Sequence, residues 1–203
     1  MYIDGEWIGG HGENHHPVSN ASTGSVIYSV PEASRGEIDR AVDAANQAFV
    51  GWARTSVGDR RDVLLAIRDG IIEREEEIAT TWAIEVGMPV ASARIATAAL
   101  PVLVTENLVE ILENFAMQED LGHSVLFQEP IGVAASITPW NYPFSQVAIK
   151  VVTAIAAGCT TVVKPSELAP GCSLIFAEIF EATGAPSGVF NLLSGSGTEV
   201  GEY

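Results

Sequence analysis

Three short segments of this chain carry residue types that could do chemistry together. They are Pro139-Trp140-Asn141, Lys164-Pro165-Ser166-Glu167 and the loop Gly195-Ser196-Gly197-Thr198-Glu199-Val200-Gly201. Between them they offer an amide, a cation, a carboxylate and a run of glycines. That set suits a dinucleotide. A carboxylate can accept hydrogen bonds from both hydroxyls of a ribose, and a lysine adds a further contact. Glycines let the backbone approach a flat ring or a phosphate. The usual dinucleotide fingerprint is absent, because the loop reads Gly-x-Gly-x-x-x-Gly and follows a third strand instead of a first. Each piece taken alone has a plainer reading. The loop could be a strand–helix turn, Asn141 a turn residue before Tyr142-Pro143, and Lys164 with Glu167 a surface ion pair.

The elements around these segments place them on one rim. Val133 to Ile137 is short and apolar, as expected of a strand covered on both faces. A helix from about Pro143 to Ala157 follows, with proline in its first turn and Gly158 at its end. Thr160 to Lys164 is a β-branched strand, Gly171 to Thr183 a helix, Val189 to Leu193 a third strand, and a helix is predicted to begin near Thr198. This strand–helix alternation is a βαβαβ unit of a doubly wound α/β fold. With right-handed crossovers the three strands run parallel, so Thr138, Lys164 and Ser194 share one edge.

The first half of the chain reads differently. Residues 1–31 are short strands and turns. Ser34-Arg35-Gly36-Glu37 is a capping box, and Ile38, Ala41, Val42, Ala45, Ala48 and Phe49 follow at helical spacing up to Gly51. A second helix shows Val63, Leu64, Ile67 and Ile71 on one face. The charged run 73–77 bridges into a third helix, stopped by Gly87 and Pro89. Residues 90–118 are predicted helical, with Pro101 starting or kinking a segment. Ser124 to Glu129 reads as a strand. The division expected is 1–121 for the strand and helical part, 122–131 for a small separate strand, and 132–203 for the βαβαβ unit.

Composition narrows the function classes. The chain has 203 residues, 47% of them hydrophobic, and a net charge of -16. That length buries a real core, about 70% of the unfolded surface. The acidity argues against nucleic acid, which needs clustered lysine and arginine, and against an anionic membrane surface. The apolar run Ile95 to Val104 is too short to span a bilayer. Met1 to Glu6 lacks the basic and apolar regions of a signal peptide. Two cysteines, Cys159 and Cys172, fit a reducing, cytoplasmic setting. His11, His15, His16 and His123 read as surface residues with no metal-ligand spacing, so no metal is expected.

Larger motifs resemble the aldehyde dehydrogenase superfamily. They are Ile137-Thr138-Pro139-Trp140-Asn141-Tyr142-Pro143, Ala156-Ala157-Gly158-Cys159-Thr160, Lys164-Pro165-Ser166-Glu167 and Pro186-x-Gly188-Val189-x-Asn191, with Asn20-Ala21-Ser22-Thr23-Gly24 in the first half. The resemblance covers essentially the whole chain. It implies the N-terminal part of that fold, with a partial Rossmann-like sheet, and oxidation of an aldehyde through a cysteine thiohemiacetal and thioester with NAD, or NADP, as acceptor. By the same resemblance Asn141 is the amide that steadies the oxyanion. Lys164, Ser166 and Glu167 belong to the adenosine-ribose site. Ile137, Thr138, Pro139 and Trp140 line the nicotinamide side, and Gly197, Thr198 and Gly201 sit under the adenine. Glu167 favours NAD, since it would repel a 2′-phosphate. The strand at 124–129 would join an oligomerisation sheet, giving a homodimer or tetramer. The family's nucleophilic cysteine and general-base glutamate have no match before Tyr203, so this length is expected to bind cofactor at best. The competing expectation is a short, non-catalytic nucleotide-binding or interaction module.

Overall fold

A computed structural model describes residues 1–12 and 14–203. The chain opens with four strands, β1 (Tyr2–Ile3), β2 (Glu6–Trp7), β3 (His15–Ser19) and β4 (Val26–Pro31). Four helices follow, α1 (Arg35–Trp52), α2 (Val57–Glu73), α3 (Glu75–Val86) and α4 (Val90–Asn114). Then come the strands β5 (Gln118–Asp120), β6 (Val125–Phe127) and β7 (Val133–Ile137). The chain closes with α5 (Pro143–Ala156), β8 (Thr160–Lys164), α6 (Gly171–Ala182) and β9 (Phe190–Leu192).

The main sheet runs in the order β2-β1-β9-β8-β7. β7, β8 and β9 are parallel, as the alternation requires, and the antiparallel β1 joins them through Tyr2 opposite Leu192. β3 with β4 and β5 with β6 form separate two-stranded ribbons. On one face of the sheet α1 packs Ile38, Ala41 and Ala45 against Ile3, Val162 and Leu193. On the other face the larger core joins Phe144, Val151, Phe176 and Phe190 to Leu64, Ile67, Ile71 and Trp82.

The helix signals hold where chemistry fixes them. Ser34 and Glu37 form the capping box of α1 reciprocally, and Ser56 with Asp59 repeats the device on α2. α3 ends at Gly87, whose left-handed φ of 83° only glycine adopts at no steric cost. α1 runs one residue past Gly51, because Trp52 is buried at 2% exposure and anchors the last turn. The charged run bridges into α3 as expected, with a single break at Arg74. Arg74 leaves helical geometry and its guanidinium reaches Glu77 at 2.8 Å and Glu178 at 2.6 Å.

Other expectations change. α4 continues through Pro101, with the Thr105 hydroxyl donating to the Pro101 carbonyl at 2.7 Å. Packing against α2, α3 and α5 overrides the proline. Uninterrupted, α4 is long and apolar enough by length and composition to cross a bilayer, a test that core helices also pass. It stops at Asn114, and Gln118–Asp120 turn into β5 because β6 supplies backbone partners. β6 spans only Val125–Phe127. Thr198 lies inside a single turn, closed by the Val200 N–H donating to the Ser196 carbonyl at 3.2 Å, since one helical bond does not nucleate a helix. β7 stands at the edge of the sheet among the described residues and is only partly covered, although α1 and α5 approach its two faces. Only Ser136 is buried in it, and β8 is its one sheet partner among the described residues.

Candidate functional site

The parallel register brings the chemistry to one rim. Ile137 lies opposite Lys164, and the Thr138 N–H donates to the Lys164 carbonyl at 3.1 Å. Leu193 N–H donates to the Val163 carbonyl at 2.8 Å, which carries the chain into the Gly195 loop. Lys164 is the centre. Its side chain is 7% exposed and its Nζ donates to the Gly195 carbonyl at 3.1 Å. Glu167, more open, stands 3.7 Å away. Burial pushes the Lys164 ammonium below its ordinary range, and Glu167 and then Glu32 oppose that push.

The other expected residues fall around this centre. Ser166 is buried, and its hydroxyl accepts from Leu168 N–H at 3.2 Å, which orders the turn carrying Glu167. Thr138 is buried with its hydroxyl unpartnered among the described residues. Pro139, Trp140 and Asn141 are exposed beyond the strand end. Gly197 and Thr198 are exposed on the turn, with the Thr198 hydroxyl 3.4 Å from that of Ser196. A groove of about 1010 Å³ joins Ile137, Lys164 and Gly201 to Ile38, Val42 and Asn46 of α1. Asn141, Ser166 and Glu167 lie outside that lining.

Several contributors were not anticipated. Val42 counted as core-facing by its spacing, yet it is exposed at the groove wall, since the apolar stripe of α1 is wider than its cover. Glu32 is buried behind the glycine loop, with no local spacing to betray it. Its carboxylate accepts from the Ser196 hydroxyl at 2.6 Å and Ser196 N–H at 3.0 Å, and Asn14 Nδ2 donates at 3.1 Å. These bonds, the Ser196 hydroxyl first, hold its carboxyl down to about 2 against the cost of burial. His16 is not a free surface residue. It lies in β3, half-buried, with Nε2 3.3 Å from Glu32.

Neither cysteine suits nucleophilic work. Both are buried and free, and burial pushes the Cys172 thiol well up.

Comparison with known proteins decides the family. The model of the "Aldehyde dehydrogenase family" matches residues 7–203. The chain belongs to the aldehyde dehydrogenase family. A 3-succinoylsemialdehyde-pyridine dehydrogenase from a Pseudomonas species is 39% identical over 99% of this chain and 42% of its own length. A putative aldehyde dehydrogenase from Staphylococcus haemolyticus is 34% identical over 99% of this chain and 42% of its own. Among solved structures, a mutant of aldehyde dehydrogenase C from Pseudomonas syringae, complexed with NAD+ and octanal, superposes with a TM-score of 0.96. It is 44% identical, over 98% of this chain and 41% of that one. Betaine aldehyde dehydrogenase from Staphylococcus aureus, in complex with NAD+, superposes at 0.93 with 32% identity, over 99% of this chain and 41% of that one. The fold of this aldehyde dehydrogenase chain is therefore the N-terminal portion of the family fold. The chain spans about two-fifths of the length of the relatives it matches.

Proposed function

We propose that this chain is the cofactor-binding portion of an NAD(P)-dependent aldehyde dehydrogenase that oxidises an aldehyde to a carboxylic acid. The observation that carries this reading is the meeting of Ile137, Lys164 and the Gly195 loop on one rim, in a chain of this family. The rim suits a dinucleotide. A buried ammonium with donors to spare lines a groove of adequate size, a more open carboxylate stands 3.7 Å from it, and the unpartnered buried hydroxyl of Thr138 follows the strand end beside it. Relatives solved with NAD+ support the same choice.

In this reading Lys164 and Glu167 hold the adenosine ribose, on a turn set by Ser166. Gly197, Thr198 and Gly201 lie under the adenine. Ile137, Thr138, Pro139 and Trp140 line the nicotinamide side. When bound, the dinucleotide supplies the hydride acceptor. Asn141, exposed and uncharged, donates its amide to the aldehyde oxygen as negative charge develops there, a donor that does not titrate. Cys159 and Cys172 only fill the core. Glu167 sets a preference for NAD over NADP. The division 1–121, 122–131 and 132–203 belongs to this proposal, with the exposed Val125, Leu126 and Phe127 of β6 as the surface for homo-oligomer formation. The free buried cysteines suit a reducing, cytoplasmic location.

The test is an NAD+ titration followed by Trp140, which is 51% exposed beside the rim. Saturable quenching is expected, weakened about tenfold or more in Lys164→Met. A wild-type titration that stays flat to about 1 mM would overturn the reading.

A further inference from the structure

We infer that Glu32, on the N-terminal side of the fold, positions Lys164 and sets cofactor specificity in this dinucleotide site. The inference rests on the function proposed above and adds a residue that lies outside the three segments of the rim.

The geometry turns on one peptide group. The Gly195 carbonyl accepts from Lys164 Nζ at 3.1 Å, and the N–H of the same peptide, that of Ser196, donates to Glu32 Oε1 at 3.0 Å. A buried cation therefore holds the oxygen end and a buried carboxylate the hydrogen end. The peptide dipole lies along the field between them, and both bonds are charge-assisted. The peptide has little room to turn. Gly195 has φ 135°, and a Cβ there would meet Val200 at 2.5 Å and Glu32 Cγ at 3.2 Å. Glu32 is itself fixed by the Ser196 hydroxyl at 2.6 Å and Asn14 at 3.1 Å, with His16 at 3.3 Å. The clamp commits one of the three ammonium donors of Lys164 to Gly195. The direction of the other two, toward Glu167 and the rim, follows from it.

Charge gives the second part. Lys164 stands between Glu167 at 3.7 Å on the open side and Glu32 behind the loop, which acts on it electrostatically. Two carboxylates against one ammonium leave the site net negative, and a 2′-phosphate entering it meets that excess. Glu32 thus adds to the preference for NAD over NADP from a position that does not touch the ribose.

Calorimetric titration of the full chain with NAD+ and NADP+ tests this, well below each variant's melting temperature. Glu32→Gln is expected to weaken NAD+ binding about tenfold, the worth of one charge-assisted bond. It should also narrow the NAD-to-NADP preference about threefold or more, because a negative charge has gone. Glu32→Asp keeps the charge but draws it back, so NAD+ binding weakens while the preference stays. Unchanged affinity in Glu32→Gln overturns the inference. Parallel losses for both cofactors, with the ratio intact, reduce Glu32 to a scaffold residue and overturn it too. If Glu32→Gln does not fold, Glu32→Asp decides, and wild-type affinity in that variant overturns the inference. A wild-type chain that binds neither cofactor removes the dinucleotide reading itself, a result separate from any of these.

Discussion

β7 and β8 are neighbouring five-residue strands with similar small and β-branched sequences and opposite surroundings. Every residue of Thr160–Lys164 is buried, while in Val133–Ile137 only Ser136 is, and Ile137 is 55% exposed. β8 is hydrogen-bonded on both sides and lies between α1 and α5, whereas β7 is bonded on one side among the described residues. The contrast spreads outward. On the β8 side Phe144, Phe176, Phe180 and Phe190 meet ring to ring at centroid distances of 4.9 to 5.9 Å. On the β7 side Ile131, Ile111, Phe115 and Met117 line an open apolar groove of about 730 Å³. Burial is a property of neighbours. A strand carries its pattern with it, but its partners decide whether that pattern is spent on a core.

The strongest way to break this comparison is Phe176→Ala on the closed side. Phe176 is fully buried between two aromatic partners, so its loss should cost about 3–5 kcal/mol in denaturant unfolding. A loss below about 1 kcal/mol would mean that the closed side is no better packed than the open one. Acid gives a second, intermediate probe, through Glu32. Its carboxyl is held below the ordinary value of 4.5, so its stabilisation is complete above that value. It disappears as pH falls from about 4.5 through about 2. Melting temperature followed over that window should fall less steeply in Glu32→Gln than in the wild type. Identical slopes would remove Glu32 from the account of acid stability. The smallest effect is expected on the open side. Ile131 is 91% exposed, so Ile131→Ser should shift stability by no more than about 0.5 kcal/mol. Its expected signature is lower binding of a hydrophobic dye. A large destabilisation would show that the open side is packed after all.

What could be read from the chain follows the range of the interactions. The capping box at Ser34 and Glu37 is a contact three residues long, and its helix follows. The strands at 133–137 and 160–164 and the approach of Lys164 to Glu167 are similarly local. The edge position of β7 was not legible, because an apolar strand looks the same whether one partner or two flank it. Pro101 does not start a segment but lies inside α4, where packing outweighs propensity. The contact of Glu32 with Ser196 joins residues 164 positions apart, and neither spacing nor composition records such a pair. The rim was legible as residue types, and its rear wall was not.

The pairing of Tyr2 with Leu192 ties β1 to β9, 190 residues away in sequence. During synthesis, at ~5–20 residues per second, the N-terminal strand would wait on the order of ten to forty seconds for its partner to be made. So long a separation raises contact order and slows closure of the sheet. Until β9 and the Gly195 loop leave the ribosome, β1 lacks its partner strand and Glu32 has no Ser196 to hold. The rim therefore closes only after Ser196 is made, although Glu32 behind it is translated long before.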